Sequence, residues 1–270
     1  MTGDAGTRAG AEAAASWPPP AAGAAPLPAM VSAQAGLELR TLVRNGEQLL
    51  LTIIIPVLLL AAFGREALIN VGRGPRIDFL APGILALAVL STAFTSQAIG
   101  TGFERRYGVL KRLGSTPLGR SGLIAAKTLT VLAVEVMQVV VVSAVAIGLG
   151  WRPHAGGARA ALAVILLLAG TAAFSGLALL MAGTLRAEAT LAAANLLYLV
   201  LLGLGGIVFP LSRFPHGAQP ALRLLPSAAL ADGLRSVLQH GTGLPGADLL
   251  VLCAWAAVGI ALAVRFFRWE

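Results

Sequence analysis

The charged residues of this chain are concentrated in one stretch, residues 103–127, which holds six of the twenty basic residues. Long apolar segments border it on both sides. Because charges are costly inside the hydrocarbon core of a membrane, we expect this stretch to face water at a membrane surface. Its lysines and arginines could bind a partner, or they could only set the orientation of the protein in the membrane.

Residues that could support catalysis, metal binding or nucleotide binding are scattered. The histidines, His154, His216 and His240, fall in separate loops, whereas metal sites need clustered ligands. Residues 119–128 weakly resemble a phosphate-binding loop, but Ala126 stands where that loop needs a glycine. We therefore predict no catalytic residue, no metal and no cofactor, and a protein that is not an enzyme and takes its energy from elsewhere.

One carboxyl group, that of Glu135, falls inside a long apolar segment, with Gln138 one turn later on the same helical face. An ionisable residue within a membrane is costly and indicates a functional site by default. Two interpretations stay open for Glu135: a structural ion pair or hydrogen bond, and a contribution to transport.

The composition places the chain in a membrane. It is 57% hydrophobic and 12% charged, with a mean hydropathy of +0.83, whereas soluble domains carry about 25% charged residues. The net charge of +8 fits loops that face anionic lipid headgroups, so we expect no nucleic-acid partner. The single cysteine, Cys253, lies in an apolar run and cannot form an intrachain disulfide.

The predicted fold is an all-α membrane protein. Residues 1–28, rich in alanine and proline, are predicted to be a disordered cytoplasmic tail, and residues 29–270 a membrane domain. An amphipathic helix over 30–48 is predicted to lie in the interface. Six apolar runs predict six transmembrane helices, at residues 49–63, 79–102, 121–150, 160–183, 191–209 and 248–264.

The segment 210–246, between the fifth and sixth runs, contains two short stretches of helical pattern, 219–225 and 227–240. Neither is long enough to span a membrane, which predicts an extracellular or re-entrant helical hairpin. Six spans place both termini on one side, and more basic residues fall on that side than on the other. We therefore predict cytoplasmic termini.

Within 103–127, the pattern predicts an amphipathic surface helix that leads into the third span. One face would carry Phe103, Tyr107, Leu110 and Gly114. Gly114 can end this helix, Ser115 or Thr116 can cap the next, and Pro117 suits its first turn. Such an element could transmit a displacement into two spans, although a loop that only sets topology remains the alternative.

This stretch, FERRYGVLKRLGSTPLGRSGLIAAKTL, resembles the cytoplasmic loop of ABC-2 type permeases, the membrane subunits of bacterial ABC exporters. The matching positions are Glu104, Arg105, Gly108, Leu110, Lys111, Arg112, Leu113, Thr116, Pro117, Leu118 and Lys127. A second match lies in GGIVFPLSRFP and LLPSAALADGLR, which resemble the family's extracellular motif. Its positions are Gly206, Pro210, Pro215, Pro226, Asp232 and Arg235. Leu225 replaces the asparagine usual before the second proline.

The resemblance covers residues 33–264 and is strongest to daunorubicin-resistance-type drug-export permeases. It implies a coupling helix that docks on a separate ABC ATPase subunit through Glu104, Arg105, Tyr107, Leu110, Lys111 and Arg112. It also implies a second permease copy, identical or different. Candidate residues for the substrate pathway are Ser91, Thr95, Glu135, Asn195 and Tyr198. Membrane lipid would surround the complex.

The function that the resemblance implies is ATP-driven efflux of a hydrophobic or amphipathic substrate across a bacterial cell membrane, as in multidrug efflux and antibiotic resistance. Export of a lipid-linked polysaccharide or other glycoconjugate by the same mechanism is an alternative. A third possibility, from another class, is an ATP-independent membrane protein or a membrane enzyme.

Overall fold

The computed structural model describes residues 25–44, 46–65, 75–114, 116–153, 156–241 and 243–267, and this part of the chain is helical with no strand. The α-helices are α1 (Leu27–Arg44), α2 (Gly46–Arg65), α3 (Arg76–Arg106), α4 (Val109–Gly114), α5 (Gly119–Gly148), α6 (Gly157–Thr184), α7 (Ala187–Leu204), α8 (Gln219–Leu222), α9 (Pro226–Leu238) and α10 (Gly246–Phe266). The prediction of an all-α membrane protein is confirmed.

Five of the described helices, α3, α5, α6, α7 and α10, are long and apolar enough to cross a membrane. In α2 the apolar stretch among the residues whose side chains are described is Thr52–Ala62, which by itself is shorter than a full span. The count of six spans therefore stays a prediction.

The N-terminal region contains the predicted amphipathic helix. Helix α1 covers Leu27–Arg44 and α2 covers Gly46–Arg65, and Asn45 between them lies outside the described residues, so whether one helix runs through 30–48 stays a prediction. Helix α1 packs mainly on α5. Residues 1–24 lie outside the described residues, and the disordered tail stays a prediction.

Helix α3 is the centre of the bundle. It packs against α2, α5, α6, α7 and α9, and 89% of its most apolar window is buried, against at most 39% for the other candidate spans. Its middle, Leu90–Ser96, is a stretch of π-helix that carries four of the five serines and threonines of α3. There Thr92 Oγ1 donates to Gln138 Oε1 of α5 at 2.9 Å, because a helix surrounded by helices must satisfy its polar side chains within the protein.

Helix α10 is held against α6 by a close crossing of glycines. A methyl group added at Gly176 would lie 2.9 Å from the backbone nitrogen of Ile260, and one at Gly259 would lie 3.1 Å from the carbonyl carbon of Gly176. Small residues allow such close approach between membrane helices. The outer faces of the spans carry exposed apolar side chains, which suit contact with lipid: Val136, Val140, Val164, Leu168, Leu196, Leu199, Val258 and Val264.

Candidate functional site

The basic stretch is broken into two parts by a turn at Gly108. Helix α3 ends at Arg106, Gly108 has a φ of +70°, and α4 is a separate helix of six residues. Glycine is favoured in this left-handed conformation because it has no Cβ. The predicted single helix with Phe103 and Leu110 on one face is therefore wrong.

A second turn joins α4 to α5. Thr116 Oγ1 donates to the carbonyl oxygen of Leu113 at 2.6 Å, so it closes the end of α4 and does not cap α5. Helix α5 begins at Gly119, whose φ is +64°, and Leu118 stands at its N-cap without a side-chain hydrogen bond. The prediction of Thr116 as an N-cap is wrong, and Ser115 lies outside the described residues. We call residues 107–118 the connecting segment.

The connecting segment is anchored by Leu110. This side chain is 1% exposed and packs with Leu118 and Leu123 in a small apolar cluster. Met30 and Val31 of α1 also pack against this cluster, as does Phe267, which follows α10. Since burying a leucine contributes roughly 1.5–3 kcal/mol, the contact holds the segment firmly to its own chain. Leu110 is thus turned inward, away from any docked protein.

The outer face of the connecting segment and of the last turn of α3 is basic and aromatic. Tyr107 is 66% exposed and stacks against Phe103 with ring centroids 6.1 Å apart. The guanidinium of Arg106 lies 6.0 Å from the Tyr107 ring, and Lys111 and Arg112 are exposed. This surface can receive an acidic or grooved partner, because guanidinium, ammonium and tyrosine groups dominate such contacts.

Glu104 and Arg105 face inward, toward neighbouring helices. Glu104 Oε2 lies 2.5 Å from Lys127 Nζ, and Glu38 Oε1 of α1 lies 3.6 Å from the same nitrogen. Arg105 donates to the carbonyl oxygen of Leu185 after α6. These contacts join α3 to α1, α5 and α6, so both side chains fix the end of α3 in the bundle.

A cavity of about 440 Å³, with mainly apolar walls and several polar side chains, lies between α1, α3 and α5, beside the connecting segment. Glu38, Glu104 and Lys127 line it, together with Gln97, which is 7% exposed. Gln97 Oε1 has no hydrogen-bond partner among the described residues. Glu38 could not be recognised from the sequence, because only the fold brings α1 against the C-terminal end of α3.

A second, more apolar cavity of about 490 Å³ lies between α5, α6 and α10, and Thr171 is in its wall. Thr171 Oγ1 donates to Glu135 Oε2 at 2.6 Å, and Gln138 Nε2 donates to the carbonyl oxygen of Thr52 at 3.1 Å. Glu135 therefore makes a structural hydrogen bond, as the first of its two interpretations predicted. Its Oε1 has no hydrogen-bond partner in the described part of the chain, so the transport interpretation also stays open.

The other candidate pathway residues do not meet at one place. Ser91 and Thr95 are partly buried in the π-helical stretch of α3, whereas Asn195 is exposed on α7 and Tyr198 is half-buried on the same helix. None of these side chains lines either cavity. Among the described residues there is also no group of three histidine, cysteine or acidic side chains that could hold a metal ion.

The second motif forms a buried clamp around Arg235. Its Nε donates to the carbonyl oxygen of Phe79 at 3.1 Å, its Nη2 to that of Ile207 at 2.9 Å, and its Nη1 to Asp232 Oδ1 at 2.9 Å. Its guanidinium carbon lies 3.7 Å from the centroid of the Phe79 ring. Burial lowers the pKa of Arg235 to about 10, and the charge of Asp232 opposes that shift.

The prolines of this motif mark element boundaries. Pro226 is the first residue of α9, where its missing N–H costs no helical hydrogen bond, and Pro210 stands before the 3₁₀ turn Leu211–Arg213. A methyl group added at Gly83 of α3 would lie 2.7 Å from Arg235 Nη2. The motif therefore fastens the segment after α7 to the beginning of α3.

A protein-family model described as ABC-2 type transporter matches residues 35–238 of the chain. The matched range runs from the middle of α1 to the end of α9 and contains both the connecting segment and the clamp around Arg235. No curated protein is significantly similar to the chain.

Proposed function

Since this chain belongs to the ABC-2 type transporter family, and is thus a membrane permease component of an ABC transporter, we propose that a separate ATPase chain drives it through the connecting segment. The proposed activity is export of a hydrophobic or amphipathic, drug-like substrate. The observation that supports the coupling role is the outer face of the connecting segment. Tyr107, Lys111 and Arg112 are exposed there, while Leu110 is buried against the rest of the protein.

The anchor explains how a force on this face would reach the spans. Leu110 holds the segment against Leu118 and Leu123, and Lys127 of α5 pairs with Glu104 of α3. A protein that pushes on the segment therefore displaces the inner ends of α3 and α5 together. In this proposal Tyr107, Lys111 and Arg112 contact the ATPase, while Glu104, Arg105 and Leu110 hold the segment in place.

A second permease copy is part of the proposal. Asn195 is exposed on α7 among the apolar side chains Leu196 and Leu199. Because an amide is costly in hydrocarbon, such a residue normally faces another helix or a water-filled pathway. A second copy against α7 would cover Asn195 and place it beside the substrate pathway between the copies. We place the complex in a bacterial cell membrane with both termini cytoplasmic.

Reversing the charge of the outer face tests the coupling role. In the double variant Lys111→Glu, Arg112→Glu, we expect loss of co-purification with the ATPase chain and of ATP-dependent substrate efflux from vesicles. The physical reason is that two attractive contacts become repulsive, which weakens a charged interface by several kcal/mol.

The matched control is Arg213→Glu, Arg223→Glu, which reverses two exposed basic residues near the clamp. It should leave co-purification and efflux unchanged. If the Lys111, Arg112 variant reaches the membrane and still binds and drives export as the wild type does, the coupling role of the connecting segment is wrong.

A further inference from the structure

We infer that the cavity between α1, α3 and α5 binds the ammonium group of an amphipathic molecule that enters from the membrane interface. If that molecule is the exported substrate, the inference deepens the proposed function and rests on it. The test below measures binding without ATP or a partner chain, so the two proposals can fail separately.

The size and walls of the cavity suit a small amphipathic ligand. Its volume of about 440 Å³ falls within the range of roughly 300–1,000 Å³ that is usual for small-molecule sites. Leu42, Val131 and Val134 provide apolar wall, and Glu38 and Glu104 provide the polar end. A molecule with a charged head and an apolar body would match both parts.

The charge of the cavity favours a cation. Among the described side chains that line it, Glu38 and Glu104 are acidic and Lys127 is basic, which leaves one negative charge in excess. Lys127 is 8% exposed and lies closer to Glu104 than to Glu38. A partly buried carboxylate is destabilising unless a cation and hydrogen-bond donors compensate its charge. Since Lys127 can balance only one of the two carboxylates, the ammonium group of a ligand would supply the second positive charge.

The orphan acceptor specifies the head group further. Gln97 Oε1 is buried at the cavity and has no donor among the described residues. An amide oxygen only accepts hydrogen bonds, whereas an alkylammonium carries three N–H donors. An ammonium in the cavity therefore has enough donors for Gln97 as well as for a carboxylate. A carboxylate or sulfate head group has no donor and would be repelled by the excess negative charge.

The experiment uses the purified chain in nanodiscs of phosphatidylcholine, whose choline head group has no N–H donor. The probe is dodecylammonium at neutral pH, and dodecanol and dodecanoate are controls of equal chain length. We expect saturable binding of dodecylammonium alone. Glu104→Gln should weaken it about tenfold, the effect of losing one charged hydrogen-bond partner. Gln97→Leu should also weaken it, since it removes the orphan acceptor.

Two further variants separate recognition from folding. Lys127→Gln removes the competing cation, so it should bind dodecylammonium at least as tightly as the wild type. Glu188→Gln, a change at an exposed carboxylate outside the cavity, should bind like the wild type. Equal binding of dodecanol or dodecanoate would overturn the inference. Equal weakening of binding by Lys127→Gln and Glu104→Gln would also overturn it. That result would mean that loss of the ion pair lowers the affinity whichever partner is removed, whereas a cation site predicts weaker binding only when the carboxylate is removed.

The same assay identifies the source of the ammonium. If phosphatidylethanolamine added to the nanodiscs displaces dodecylammonium, the site holds a lipid head group. If dodecylammonium still binds in excess phosphatidylethanolamine, the site prefers amines that are not lipids. Either result supports an ammonium site, provided that the wild type binds and Glu104→Gln binds more weakly.

Discussion

Arg235 shows how one buried cation can organise a loop that returns toward a membrane helix. Arg235 is only 4% exposed, and protein groups replace water around its charge. It contacts two backbone carbonyl oxygens, the carboxylate of Asp232 and the ring of Phe79. A guanidinium can do this because its donors form a planar fork and its face can stack on an aromatic ring. A resemblance in sequence pointed to Arg235, but it gave no indication that the side chain is buried.

Replacing Arg235 should therefore destabilise the protein strongly, even with another cation. For Arg235→Lys we expect the free energy of unfolding to fall by about 3–5 kcal/mol, because the ammonium cannot meet the same three acceptors and stack on Phe79. Thermal unfolding in detergent micelles measures this. The exposed Arg223→Lys is the control and should change little. Equal stability of both variants would show that the clamp does not stabilise the fold.

The connecting segment shows how a short element can be rigid. Its helix α4 lies between two glycines in the left-handed conformation, Gly108 and Gly119, and Leu110 anchors this helix. The basic and aromatic residues were recognisable from the sequence, as was the change of direction before the third span. The break at Gly108 could not be recognised from the sequence, because glycine also occurs within membrane helices. Only the φ angle shows that this glycine forms a turn.

Gly108→Ala should strain this turn. The added Cβ meets no atom within 4 Å, so the cost of about 1–2 kcal/mol comes from the backbone conformation alone. Gly100→Ala is the matched control: it lies in α3, also meets nothing within 4 Å, and should stabilise the helix by about 0.5–1 kcal/mol. Thermal unfolding of both variants is the measurement, and effects of the same sign would contradict the assignment of the turn.

The whole molecule is arranged around the length of α3. Arg235 contacts Phe79 near one end of this helix and Lys127 contacts Glu104 near the other, which is roughly 40 Å away at 1.5 Å per residue. That distance matches the thickness of a bilayer with its head groups. Helix α1 lies at the Glu104 end, so the chain must cross to Arg76 through α2, which predicts that α2 is the sixth span.

Cysteine labelling tests this arrangement. In a Cys253→Ser background, which removes the single native cysteine, Ser32→Cys in α1 and Thr116→Cys in the connecting segment should react with an impermeant maleimide from the same side. Ser212→Cys, after α7, should react from the opposite side. All three positions are exposed. If Ser32→Cys and Thr116→Cys react from different sides, α2 does not span the membrane.

The sequence by itself determined the class of the protein and most of its helices. Long apolar runs in a chain with 12% charged residues have no stable arrangement in water, and they must form helices in a membrane to satisfy their backbone groups. For this reason the runs at 79–102, 160–183 and 248–264 all fall within observed helices. The two motifs, and the family that they resemble, could also be recognised without coordinates.

Only the tertiary structure decided which charged groups are exposed and which contact other helices of the protein. Glu104, Lys111 and Arg112 lie within nine residues of one another in the chain, yet Glu104 is partly buried and pairs with Lys127 of α5, while Lys111 and Arg112 are exposed. Glu38 and Gln97 meet at one cavity although 59 positions separate them. Ion pairs and cavities depend on how helices distant in sequence pack together, and helical periodicity carries no information about that packing.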